Sequence, residues 1–422
     1  MIHIKIIEAF LLALTITLSS SNAWSGLLSS LIIYSGNQHP LPDTPQERIP
    51  GVVAQGWQAR PPGTIIDIFD APASSQVEGA AKSFFVRYTT ISVKGLPVLA
   101  SGLVLIPEAV HYATGDWPLV VYGHMTTGMA DACAPTHGIA ESNELRRMQQ
   151  GDELARQLLS RGVVVARPDY EGIGEPGPHP YLRGDSLARS MRDMASAVAG
   201  YWGEIGDKWV AAGHSEGGVA ALNTGSREHQ NAKGLNLLGV AAITPVTQLE
   251  NLIAALESSP ITAPGVDVAV ALAGLVLKGI ATVDPTFEKL ILQDGGLSER
   301  ALALWPDLER LCLEDLSHET SWGGMSPDEM KGSRGREVVA EMRRALQEDD
   351  VRLIPMRRDI AIRIDAGILD AVALLPFTDQ LVQEYRQQGY EVSYDRWPAD
   401  HSPTADMAAP TIANWIMERF GK

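Results

Sequence analysis

Past residue 84 the chain alternates two patterns. Short β-branched apolar runs are followed by longer stretches in which apolar residues recur every three or four positions. Runs over 84–93 and 98–106 flank Lys94-Gly95-Leu96-Pro97, which predicts an antiparallel hairpin. Further strands are predicted over 117–122, 163–166, 209–212 and 235–243, with helices over 144–160, 185–202 and 216–226. Strands separated by helices imply an α/β fold: a mostly parallel sheet with helices on both faces. The alternation stops over 247–355, where only helical patterns occur. It resumes with a strand over 359–364, a helix over 377–388, a strand over 390–396 and a helix over 404–419. The organisation expected is therefore a core of 24–246 and 356–422 interrupted by a helical cap at 247–355. Residues 24–80, rich in proline and glycine, are read as an irregular N-terminal arm.

Composition narrows this further. The chain has 422 residues, of which 45% are hydrophobic and 20% charged, enough for one large core with an insertion. A formal net charge of −17 repels a phosphate backbone and argues against nucleic acid as a partner. At the start, Lys5, an apolar run over 6–18 broken by Glu8, and Ser21-Asn22-Ala23 read as a signal peptide of residues 1–23. The run is too short to span a bilayer comfortably. A secreted or periplasmic protein is expected. Export would bring Cys133 and Cys312 into an oxidising compartment, where a pair can close; two separate buried thiols are the other reading.

The chemistry centres on Gly213-His214-Ser215-Glu216-Gly217-Gly218, set where a strand becomes a helix. G-x-S-x-G in that context describes a nucleophile elbow, with the serine on a strained turn and glycines where side chains would collide with backbone. The pattern is short and recurs by chance; the strand-turn-helix setting is what makes it specific. A serine needs a base, and the base an orienting carboxylate, in the chain order serine, acid, histidine. Of the histidines that follow, His229 ends the elbow helix and His318 lies in the cap. His401, in Pro398-Ala399-Asp400-His401, follows the last strand and is the candidate base. For the acid, Asp370 lies in the loop beyond the preceding strand, 31 positions before His401. Asp365 fits a buried strand end, and Asp400 a solvated loop. Oxyanion donors are expected from the backbone N–H of Glu216 and of Thr126 or Met125, with the Thr126 hydroxyl able to add a second bond. His124 reads as a structural residue.

Other motifs weigh less. Gly172-Ile173-Gly174-Glu175-Pro176-Gly177 matches a dinucleotide fingerprint, but Pro176, Pro178 and Pro180 prevent the helix that such a site requires. A rigid loop lining the pocket is expected instead. No metal-ligand spacing stands out, and neither a metal nor a cofactor is expected. The apolar stretch 261–283 is either an acyl-binding lid that meets a lipid interface or a packed cap helix. Three functions compete: a serine ester hydrolase, a peptidase or amidase of the same fold, and a noncatalytic binding protein.

The segments HMTTGMADACAP (124–135), DYEGIGEPGPHPYL (169–182), GHSEGG, GILD and ADH occur in an order that resembles the secretory lipase family of α/β-hydrolases, of the yeast lipase-A type. The resemblance covers most of the chain after residue 23. It implies an α/β-hydrolase fold, a secreted esterase or lipase with a helical cap, and a small-molecule or lipid ester as substrate. It carries catalytic roles to Ser215, Asp370 and His401, and a Cys133–Cys312 bridge between core and cap. Met125 stands where the family usually has glycine, and Asp365 where the acid strand is usually uncharged.

Overall fold

The computed structural model describes residues 55–108, 112–113, 116–228, 234–257 and 266–421. The expected signal peptide, residues 261–265 of the apolar stretch, and His229 lie outside the described residues. Nine strands form one sheet: β1 Ile65–Asp70, β2 Ala80–Ile91, β3 Pro97–Pro107, β4 Trp117–Gly123, β5 Val164–Pro168, β6 Ile205–His214, β7 Asn236–Ile243, β8 Ala361–Gly367 and β9 Val392–Trp397. Their order is β1-β2-β3-β5-β4-β6-β7-β8-β9. The first three strands pair antiparallel, β3 meets β5 antiparallel, and every pair from β5 to β9 is parallel. This is the α/β-hydrolase architecture.

The central strands carry apolar runs on both faces because both faces of the sheet are covered. In β6, Trp209 and Ala211 join one core, while Val210 and Ala212 join the other. Helices α1 Leu145–Met148, α2 Asp152–Leu159, α3 Gly184–Tyr201 and α4 Glu216–Thr224 precede β7. The insertion between β7 and β8 holds α5 Leu249–Glu257, α6 Val266–Val283, α7 Pro285–Leu292, α8 Glu299–Leu304, α9 Leu313–Leu316 and α10 Gly335–Glu348. Helices α11 Leu375–Gln387 and α12 His401–Arg419 complete the fold. Buried residues of α3, α4 and α11 cover one face of the sheet, and those of α2 and α12 the other.

Three local expectations are corrected. The arm contains a strand, β1, which pairs with β2 at the sheet edge. The helix expected over 144–160 is two helices, broken at Gly151, whose φ of +99° favours glycine and whose Cβ would lie 2.4 Å from the Tyr122 ring. The last helix starts at His401 rather than beyond it, because the Asp400 carboxylate accepts a hydrogen bond from the His401 N–H at 2.7 Å and caps the helix.

The insertion packs closely on the core. In α6, a Cβ on Gly279 would lie 2.6 Å from the Tyr181 carbonyl oxygen of the core, and within the insertion one on Gly274 would lie 2.8 Å from the Trp322 ring. Helix α6 is apolar enough to cross a membrane by length and composition, yet over half of it is buried inside the protein. A second attachment is covalent. Cys133, after β4, is bonded to Cys312, at the start of α9, with a Cα–Cα distance of 5.4 Å. Beside it the Leu313 N–H donates to the Thr127 carbonyl at 2.8 Å.

Candidate active site

Ser215 joins β6 to α4 with φ 58° and ψ −114°, a left-handed conformation that non-glycine residues rarely hold. Its backbone is fixed from both sides. Its N–H donates to the Ile243 carbonyl at 2.9 Å, and its carbonyl accepts from Val219 N–H at 3.0 Å. The turn closes only because three backbone segments touch. A Cβ on Gly213 would lie 2.1 Å from the Gly217 oxygen, and one on Gly217 would lie 1.9 Å from the Gly123 oxygen. The motif glycines are therefore set by contact between β4, β6 and α4.

Asp370 and His401 come together from the ends of neighbouring parallel strands. After β8, the Ile368 N–H donates to the Trp397 carbonyl at 2.8 Å and the Leu369 N–H to the Ala399 carbonyl at 3.0 Å, which ties the two loops side by side. Asp370 Oδ1 accepts from the Val372 and Ala373 N–H groups, both at 2.8 Å, so the carboxylate has one orientation. Its Oδ2 lies 2.8 Å from His401 Nδ1. With Nδ1–H given to the carboxylate, Nε2 carries the lone pair that a general base needs. His401 also packs on the elbow: the ring of His214 lies 4.9 Å from its ring, and His214 Nε2 lies 3.1 Å from its carbonyl oxygen. Burial, with His401 second, holds the His214 imidazole well below its usual range, so His214 is neutral and donates through Nε2. No hydrogen bond within 3.5 Å joins Ser215 Oγ to His401 among the described residues; the side chain of His214, next to Ser215, is what contacts His401.

The two other candidate carboxylates have different partners. Asp365 is fully buried, accepts two hydrogen bonds from Arg363 at 2.8 and 2.7 Å, and accepts another from Trp397 Nε1 at 2.8 Å. Asp400 is the helix cap already described. His318 is half-buried on the insertion and pairs with the Thr320 hydroxyl at 2.9 Å.

The loop after β4 lies against the elbow. The N–H groups of Met125 and Thr126 have no acceptor among the described residues. Glu216 opens α4, where first-turn N–H groups have no intrahelical partner. His124 is buried and stacked on Tyr170 at 4.3 Å, with Nδ1 2.6 Å from the Met125 carbonyl oxygen. The Thr126 hydroxyl is engaged elsewhere: it lies 2.8 Å from the Tyr181 hydroxyl and donates to Glu216 Oε2 at 3.3 Å. Sequence reasoning left the Glu216 side chain without a role. In the structure it is buried, with Oε1 3.0 Å from His179 Nε2. Only the position of His179 in the proline-rich loop could have pointed to it. That loop is irregular as expected, with Gly172, Gly174 and Gly177 all at positive φ. Together with α6 it walls a cavity of about 520 Å³ whose lining includes His179, Met129, Asp131, Lys94 and Lys278.

A family model described as "Secretory lipase" matches residues 143–422. Lipase A of Arthroderma benhamiae is 23% identical over 397 residues, covering 89% of this chain and 77% of that protein. The X-ray structure of Candida antarctica lipase A superposes with a TM-score of 0.70 at 17% identity, covering 87% of this chain and 84% of that one. A ligand-bound form of the rice cell wall degrading esterase LipA from Xanthomonas oryzae superposes with a TM-score of 0.67 at 20% identity, covering 85% of this chain and all of that one.

Proposed function

The chain belongs to the secretory lipase family, and from that premise we propose which of its residues carry out the reaction. It is a secreted serine ester hydrolase that works through an acyl-enzyme. Ser215 is the nucleophile, His401 the general base and acid, and Asp370 the residue that orients the imidazole. The observation that supports this reading best is the 2.8 Å contact between Asp370 Oδ2 and His401 Nδ1, with His401 packed on the strained elbow of Ser215.

In the first half-reaction Ser215 Oγ bonds to the ester carbonyl carbon and His401 Nε2 takes its proton. Negative charge develops on the carbonyl oxygen, where the N–H groups of Glu216 and Thr126 donate; Met125 is the alternative to Thr126. Each donor in such a site contributes ~3–4 kcal/mol. Collapse breaks the carbon–oxygen bond, and the alcohol leaves with the proton from His401. In the second half-reaction His401 takes a proton from water. The water oxygen bonds to the acyl carbon, and collapse breaks the carbon–Oγ bond as His401 returns the proton to Ser215, which releases the carboxylic acid and restores the free enzyme.

The insertion at 247–355 is read as a cap over this site, since α6 packs on Tyr181, which bonds to Thr126. Residues 1–23 are read as the signal that directs export, and nucleic acid is not a partner of so acidic a chain. Two of these similar proteins are called lipases and the third a cell wall degrading esterase, and those names bracket the esters to test. Fluorophosphonate labelling and nitrophenyl-ester turnover should both disappear in Ser215→Ala. An unlabelled native protein, or a Ser215→Ala variant that still hydrolyses esters, would overturn the assignment. Turnover of amides at rates near those of esters would favour the peptidase reading. A rise in rate above the solubility limit of long-chain esters identifies a lipase; smooth saturation identifies a soluble esterase.

A further inference from the structure

We propose that His179 is a positioning residue for the oxyanion hole, holding one shared proton with Glu216 so that the carboxylate beside the nucleophile carries no uncompensated charge. The proposal rests on the reading that Glu216 and Thr126 supply the oxyanion donors.

A carboxylate immediately after the nucleophile poses an electrostatic problem. The reaction builds negative charge on the substrate oxygen, and a second negative charge one residue away in a poorly hydrated site opposes it. Glu216 is 1% exposed, so water does not screen it.

The hydrogen bonds around His179 show how the charge is neutralised. His179 is also 1% exposed. Its Nδ1 lies 2.7 Å from the carbonyl oxygen of Glu171, which can only accept, so Nδ1 carries a hydrogen. Its Nε2 lies 3.0 Å from Glu216 Oε1. A bond there needs one proton between two atoms that are otherwise both acceptors. Placed on nitrogen, it makes an imidazolium beside a carboxylate. Placed on oxygen, it makes a neutral imidazole beside a carboxylic acid. The pair has no net charge in either description. Stacking on Tyr170, with ring centroids 6.0 Å apart, holds the imidazole in place.

The second carboxylate oxygen extends the effect to the loop. Glu216 Oε2 accepts from the Thr126 hydroxyl, which is also in contact with Tyr181. One side chain thus links the two backbone donors: its own N–H lies on α4, and its carboxylate fixes the residue that presents the other. Tyr181 in turn lies under Gly279 of α6, so the position of the insertion reaches the same loop.

The test is a cycle of Ser215→Ala, His179→Ala, Glu216→Gln and the His179→Ala/Glu216→Gln double variant, read by kcat and KM on a nitrophenyl ester and by thermal unfolding. His179→Ala leaves a bare buried carboxylate, so kcat should fall at least thirtyfold with KM within threefold. Adding Glu216→Gln removes that charge and should raise kcat at least tenfold above His179→Ala alone, a gain that a purely structural role would not give. Should His179→Ala not fold, His179→Gln fills more of the space and carries the same comparison. A His179 variant with kcat within threefold of wild type, or a double variant no faster than the single one, would overturn the proposal. Activity that persists in Ser215→Ala would instead overturn the assignment of the nucleophile.

Discussion

Asp365 and Asp370 are five positions apart and have different surroundings. Asp365 faces a guanidinium and an indole N–H; Asp370 faces two backbone N–H groups and an imidazole. Their asparagine variants should fail differently. Asp370→Asn should lower kcat by roughly 10³–10⁴-fold, because an amide in that place favours the wrong imidazole tautomer, and should leave the melting temperature nearly unchanged. Asp365→Asn leaves Arg363 with the half-exposed Asp395 as its one ionic partner among the described residues, and should cost about 2–3 kcal/mol of stability in urea unfolding while kcat changes little. Equal loss of kcat in both would remove the distinction. Sequence order singles out Ser215, Asp370 and His401 as candidates, because strand ends and short loops leave few choices, and the structure brings Asp370 and His401 into contact. It could not pair His179 with Glu216, which are 37 positions apart and joined by a loop with no periodicity to read.

Among the elements, the central parallel strands were the easiest to read, since burial on both faces gives them runs of apolar residues. Strand β1 was harder. Ile65-Ile66-Asp67-Ile68-Phe69-Asp70 is short, sits among prolines and glycines, and is only half-buried at the sheet edge, so its partner β2 decides its form more than its own pattern does. The break at Gly151 is likewise imposed by a distant ring, that of Tyr122. The disulfide acts at this scale. It closes a loop between positions 179 apart, which in the chain-entropy account contributes about 5 kcal/mol. It also holds the loop after β4 against α9. Cys312→Ser, or reductant on the native protein, should lower the unfolding midpoint and reduce kcat together. Loss of stability with full kcat would show that the bridge does not position that loop.

For the molecule as a whole, the seam between core and insertion adds a dependence on pH. Glu144 is buried there, shares Arg147 with Glu314, and accepts from the Glu314 N–H at 2.8 Å. Burial pushes its carboxyl up to about 7 although Arg147 opposes this, and burial likewise pushes Asp169 up to about 6. A carboxyl whose value rises on folding binds its proton more tightly in the folded state than in the unfolded one. The stability it contributes is complete below about pH 4 and is lost as pH rises through 7. For Glu144 the span is up to ~3 kcal/mol. Glu144→Gln keeps the shape without the titration, so its urea midpoint should gain on wild type between pH 5 and pH 8. An unchanged gap would place the pH dependence elsewhere. The pairing of the loops after β8 and β9 has a different consequence. The gap between Asp370 and His401 is gauged by the spacing of two neighbouring strands, and the whole helical insertion joins the chain before that gauge begins. Helices can therefore be lengthened, exchanged or trimmed around this sheet over evolutionary time while the carboxylate and the imidazole keep their spacing.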